Sequence, residues 1–318
     1  MAWRMLAAWM ACLVTGTAAA QARIELIPFE SRTIPDADLL AGRMDRGVPA
    51  ILGGELTVPL EPEGRMPVVV LLHGSAGVFP YVTQWRDELA AMGIASFVID
   101  SFSARGIRGT IADQDRLARL NAIVDAYAAL RVLREHPALD PSRIVLMGFS
   151  RGGDAALYAS LRRMHDLLTT GTARFAAHIA FYPNCGTRYR WDTDVMPVPL
   201  RIFHGAADDY APARQCEEHV KRLRMVGADV SIKIYPGAHH VFMWRDLREP
   251  TVLKQAQTTR ACQLRERDDG VVVNSTTGAP FTHADPCVAK GPTVGYNAAA
   301  AEDARKAVRA VLEALRQP

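Results

Sequence analysis

Three residues able to act together on a carbonyl carbon stand where apolar runs of this chain end. Ser150 lies in Gly148-Phe149-Ser150-Arg151-Gly152, Asp208 in "FHGAADDYAP" (203–212) and His240 in "YPGAHHVF" (235–242). A serine hydroxyl is a weak nucleophile at its free pKa and needs a base within hydrogen-bond reach. The base needs a carboxylate that fixes its tautomer and stabilises the imidazolium. The order serine, aspartate, histidine is the one expected when such a triad is mounted on an α/β sheet. The glycines fit the same chemistry. A serine on a sharp strand-to-helix turn leaves no room for side chains two residues to either side, and Gly153 lets the next helix begin close against the sheet.

Alternatives stand beside these choices. His239 is the second candidate base. Asp209, just before a helical stretch, suits a helix cap. His73, His178 and His204 lie within or at the ends of strand-like runs and read as structural. The triad also requires donors for the developing oxyanion. One is the backbone N–H of Arg151, at a helix N-terminus where the dipole favours negative charge. A second is the N–H of Ser75 in "LLHGSAG" (71–77), with Ala76 as its alternative. Arg105, in "DSFSARG", and the Arg151 side chain are candidates to meet a substrate carboxylate, although each equally suits a salt bridge. Tyr182 and Trp244 are candidate pocket residues that equally suit a core.

The elements that must carry these residues are legible as continuous apolar runs at 67–74, 94–100, 143–149, 178–183, 200–205 and 230–237. Unbroken runs suit strands covered on both faces. Amphipathic stretches at about 83–92, 113–135, 153–167, 212–226 and 302–316 lie between and after them. The second has Leu117, Leu120, Val124, Tyr127, Leu130 and Leu133 at helical spacing. Strand and helix in alternation predict a mostly parallel sheet with helices on both faces, in one domain spanning 23–318. The segment 247–297 breaks the pattern. It is polar, aperiodic and rich in Thr, Gly and Pro, so it reads as an insertion with short strands near the active face, or as a plain surface excursion.

The chain has 318 residues, 49% hydrophobic and 22% charged, with a net charge of +3. That composition supplies a sizeable core and implies neither nucleic acid nor an anionic membrane as partner. Residues 1–22 carry Arg4, a short apolar stretch and A-x-A patterns, as in a secretory signal peptide cleaved near Ala20 or Ala22; the stretch is too short to span a bilayer. Export would place the protein in the periplasm or outside the cell. Cys12 lies within that stretch. The remaining cysteines, Cys185, Cys216, Cys262 and Cys287, form an even set for two disulfides. Sequential pairing, Cys185 with Cys216 and Cys262 with Cys287, is expected because each pair brackets one compact segment. Their spacing does not suit a zinc site.

The pieces "LLHGSAG", "GFSRGG", "HGAADDYAP" and "YPGAHHVF", in this order, resemble the dienelactone hydrolase-like proteins of the α/β-hydrolase superfamily. The resemblance covers about 50–250 and, less specifically, the last helix. It implies the α/β-hydrolase fold, a triad of Ser150, Asp208 and His240, and an oxyanion loop at Ser75. The chain departs from the cysteine-dependent, typically cytoplasmic members in carrying Ser150 and in its exported character. The expected activity is hydrolysis of a small carboxylic ester or lactone, with no metal or organic cofactor implied. A peptidase acting on acyl-peptides is a rival, but the segment before "VVVLLHG" is too short for the propeller that usually gates such enzymes. A binding protein on a hydrolase scaffold is the rival from another class.

Overall fold

A computed structural model describes residues 22–60 and 64–315. The signal-peptide residues, apart from Ala22, and Cys12 lie outside them. The core of the molecule is one eight-stranded sheet. Its strands are β1 (Ala22–Thr33), β2 (Val48–Pro59), β3 (Met66–Leu72), β4 (Ala95–Asp100), β5 (Leu139–Phe149), β6 (Ala177–Phe181), β7 (Leu200–Gly205) and β8 (Val230–Tyr235). Their order across the sheet is β1-β2-β4-β3-β5-β6-β7-β8. From β4 to β8 every pairing is parallel, while β2 is antiparallel to both β1 and β4.

All seven residues of β3 are buried, because helices cover both faces. Successive side chains of a strand point to opposite faces. Val68, Val70 and Leu72 accordingly join the core on one side, and Val69 and Leu71 the core on the other. The first core is closed by α1 (Asp36–Leu40), α3 (Asn121–Arg134), α4 (Arg151–Tyr158), α5 (Arg162–Leu168) and α6 (Ala213–Met225). The second is closed by α2 (Pro80–Ala91) and α7 (Ala298–Ala314), through Trp85, Leu89, Val308 and Leu312.

Three elements differ from the sequence expectation. The helix expected over 113–135 begins only at Asn121; a 3-10 turn at Gln114–Arg116 and an extended Leu117 precede it. The buried Arg151 guanidinium donates to the Gln114 and Leu117 carbonyls, which a continuous helix would have used itself. The helix expected over 153–167 is two helices, separated where Leu161 is extended and bridges to Val195. The hairpin of β1 and β2, with its exposed Leu26 and Ile51, has no counterpart in the expected elements.

The segment 247–297 is built from two- and three-residue strands. Thr251–Val252 pairs with Thr293–Val294, and Gln257–Thr258 with Ala289–Lys290. Leu264–Glu266 pairs with Val272–Asn274 and, in parallel, with Thr187–Arg188. A disulfide joins Cys262 to Cys287 within this segment, and another joins Cys185 to Cys216 on α6. Both Arg163 terminal nitrogens donate to the buried Glu266 carboxylate, at 2.8 and 2.6 Å, tying α5 to the segment. Among the described residues no helix is long and apolar enough to cross a membrane.

Candidate active site

Strand β5 ends at Phe149, and the chain turns through Ser150 with φ 53° and ψ −117° before α4 begins at Arg151. A positive φ on a non-glycine residue is strained and persists only where its surroundings enforce it. Here the Ser150 N–H donates to the Phe181 carbonyl at 3.0 Å. The glycines permit the rest. A Cβ on Gly148 would lie 1.9 Å from the Gly152 carbonyl oxygen, and one on Gly152 would lie 2.3 Å from that of Leu72. Both obstacles are backbone, so neither can swing aside. Gly148→Ala is therefore expected to destabilise the protein by about 3 kcal/mol or more, read as a shift in the urea midpoint. A midpoint equal to wild type would show that the elbow tolerates a methyl group.

The Ser150 hydroxyl lies 2.8 Å from His240 Nε2, and His240 Nδ1 lies 2.7 Å from Asp208 Oδ2. Asp208 is buried, and burial alone would raise its carboxyl pKa; the His240 and His204 rings and the Ala211 N–H together outweigh this and hold it below the usual 3.8. An ionised Asp208 accepts the Nδ1 proton, which leaves Nε2 bare to accept the serine O–H. The other Asp208 oxygen accepts the N–H groups of Tyr210 and Ala211, each at 2.9 Å, so the carboxylate cannot rotate freely. Buried His204 has its own pKa lowered by desolvation, which favours the neutral ring, and its Nε2–H donates to the Pro183 carbonyl at 3.1 Å.

The loop bearing His240 is held on two sides. Gly205 lets the Ala238 backbone approach β7, since a Cβ there would sit 2.2 Å from the Ala238 oxygen. On the other side, the Gly295 N–H donates to the His240 carbonyl at 3.1 Å, beside a bridge from His240 to Val294. The imidazole is flanked by the rings of Tyr182 at 4.8 Å and Tyr210 at 4.7 Å. His239 faces elsewhere, with Nδ1 at 3.0 Å from the Ala207 carbonyl.

Ser75, Ser150, Arg151, Tyr182 and His240 line one small recess. The backbone N–H of Arg151 opens α4, where the first amides have no intrahelical acceptor. The Ser75 loop is fixed by Thr110 N–H on its carbonyl at 2.8 Å and by its hydroxyl on Gln114 Oε1 at 3.2 Å. The Arg151 side chain is not available to a substrate carboxylate. It is 3% exposed, donates to the Gln114 and Leu117 carbonyls, and is pushed down to about 10 by burial and the neighbouring Arg119.

Two other expected contacts are absent from the site. Arg105 is sequestered by Asp125, to which two of its nitrogens donate at 2.7 and 2.8 Å, because each buried charge needs the other. Trp244 packs edge-on against Phe79 at 4.9 Å, away from the recess. Asp209 caps no helix: it accepts the Thr293 N–H at 2.7 Å and pairs with Arg260 at 3.0 Å, fastening the 247–297 segment. The recess also has walls that sequence reasoning did not find, namely Gln114, Arg119, Asn184, Gln257, Thr258 and Thr259. Tyr210 and Ala211, inside the quoted "HGAADDYAP", carried a local signal.

A strained serine at a strand-to-helix turn, presented to a histidine–aspartate pair on a mostly parallel sheet, is the architecture of the α/β-hydrolases. Residues 52–316 match the dienelactone hydrolase family, and the chain belongs to it. The curated relatives include a protein of Bradyrhizobium sp named "Probable 2-oxo-3-(5-oxofuran-2-ylidene)propanoate lactonase", 26% identical over 224 residues, which are 64% of this chain and 84% of that protein. Among solved structures, a dienelactone hydrolase candidate of Klebsiella pneumoniae subsp. pneumoniae superposes with a TM-score of 0.57 at 15% identity, covering 91% of this chain and 99% of that one. A dienelactone hydrolase-like promiscuous phosphotriesterase from metagenomic libraries gives 0.55 at 18% identity, covering 91% and 98%. These structures share the fold. Membership of the family makes the chain a hydrolase of the esterase type.

Proposed function

We propose that the protein cleaves a small carboxylic ester or lactone through an acyl-enzyme on Ser150. The observation that carries this reading is the continuous relay from Ser150 Oγ to His240 Nε2 and from His240 Nδ1 to Asp208, at 2.8 and 2.7 Å. In the first half-reaction, Ser150 Oγ attacks the carbonyl carbon as His240 Nε2 takes its proton. The tetrahedral oxyanion is held by the N–H groups of Arg151 and Ser75. His240 then protonates the leaving alkoxide and the C–O bond breaks. In the second, His240 deprotonates a water that attacks the acyl carbon, and the proton returns to Ser150 as the acid leaves. Each oxyanion donor of this kind contributes about 3 kcal/mol to the transition state.

The two disulfides support export to an oxidising compartment, in keeping with the signal-like residues 1–22. A fluorophosphonate probe tests the reading directly. One phosphonyl adduct is expected, on the peptide that holds Ser150. A protein that resists the probe and leaves every small ester intact would instead be a binding protein on this scaffold.

A further inference from the structure

The recess over Ser150 has a volume of only about 20 Å³, room for the reacting carbonyl and little more. Against it lies a second chamber of about 280 Å³. Gln114, Arg119, Asn184 and Thr259 line both, so the two spaces are neighbours that share these side chains. An apolar cavity of about 150 Å³ already accommodates benzene, so the chamber has room for a ring with substituents. Its walls suit one. Tyr158 and Tyr189 come from the hydrolase body, and Leu264, Val272 and Phe281 from the 247–297 segment.

The charge between the two spaces is already answered. The Arg119 guanidinium pairs with the buried Asp154, whose other oxygen accepts the Asn184 N–H. A paired guanidinium still attracts the face of an aromatic ring, and a ring needs no counter-charge. Resting on the reading of Ser150 as nucleophile, the geometry points to an ester that carries an aromatic group, seated in this chamber while its carbonyl lies in the recess. The 247–297 segment is then the part of the chain that selects the substrate, through Leu264, Val272 and Phe281.

Methyl acetate, methyl phenylacetate and benzyl acetate, compared by pH-stat titration, place a ring on neither side, on the acyl side or on the alcohol side of the bond. At least one ring-bearing ester is expected to exceed methyl acetate in kcat/KM by about tenfold, the usual scale for filling an apolar pocket. Val272→Trp, which fills the chamber from the inserted strand, is expected to remove that advantage through KM, lowering kcat/KM for the ring-bearing ester by more than for methyl acetate. Phe281→Ala, which deletes one wall, is expected to weaken it as well, and serves if the tryptophan variant does not fold.

Calorimetry with acetamide, phenylacetamide and N-benzylacetamide, which carry no ring, a ring on the acyl side and a ring on the leaving side, supplies a readout that needs no turnover. At least one aromatic amide is expected to bind about tenfold more tightly than acetamide, and less so to either variant. Equal binding of all three amides, or variants that retain the full ring preference, overturns the proposal. Binding that favours the ring in a protein inert to all three esters and to the fluorophosphonate would keep the chamber and sink the catalytic reading instead.

Discussion

Replacement of Ser150 by alanine is expected to lower kcat/KM for phenyl acetate by roughly 10⁴-fold or more, with no loss of stability. Loss of a serine nucleophile removes the whole covalent path, and what remains is the modest catalysis supplied by oxyanion donors and binding. The stability side follows from the backbone. Alanine carries the same Cβ as serine, so the strain at φ 53° is unaltered, and the N–H bond to Phe181 does not involve the side chain. Activity of purified variant and wild type, measured beside their thermal midpoints, checks both halves. A variant that keeps a tenth of the activity would move the nucleophile away from Ser150.

The second large effect is at Asp208. Asp208→Asn is expected to reduce kcat by about 10⁴-fold, because the amide supplies a donor where His240 Nδ1 needs an acceptor. If the amide presents its NH₂ group, the ring takes the tautomer with its proton on Nε2, and the serine loses its base. If it presents its oxygen, the tautomer survives but the charge that stabilises the imidazolium is lost. The same residue contributes to acid stability. Its folded pKa lies below the ordinary 3.8, so the unfolded chain binds the proton more readily. That contribution is therefore complete above the unfolded value and is lost as pH falls through the folded one. Urea titrations at pH 7 and near pH 3 should give the asparagine variant a shallower acid decline than wild type. An equal decline would locate the acid-sensitive group elsewhere.

The parts of the molecule visible from the sequence were those in which cause and effect lie close along the chain. The buried strands announce themselves by composition. The turn at Ser150 needs glycine at 148 and 152 for reasons contained within five residues, and Asp208 and His240 follow the ends of strands that can be located independently. The walls of the recess have no such locality. Gln114 reaches its place because its N–H donates to Gln257 Oε1, 143 residues away, and because Arg151 captures the Gln114 and Leu117 carbonyls. Periodicity at Leu117 and Leu120 favoured a helix there, and a tertiary contact overrode it. Arg105 fails for the converse reason. Its chemistry is right for a substrate carboxylate, but Asp125, twenty residues away, satisfies it first. A charged residue does not reveal its partner through its type.

The contacts that seat His240 give the 247–297 segment a standing unlike that of a removable flap. The histidine carbonyl is bonded to Gly295, Asp209 is bonded to Thr293, and Gln257 holds the strip that carries Gln114. Chain length in this segment is thus coupled to the position of the His240 imidazole, the proposed base. Transplanting its outer tip, between the residues that form the Cys262–Cys287 bridge, changes the pocket wall and leaves those anchors in place. Excising the segment whole removes the brace behind the imidazole along with the wall. For redesign of specificity, the disulfide marks the seam along which this enzyme can be recut.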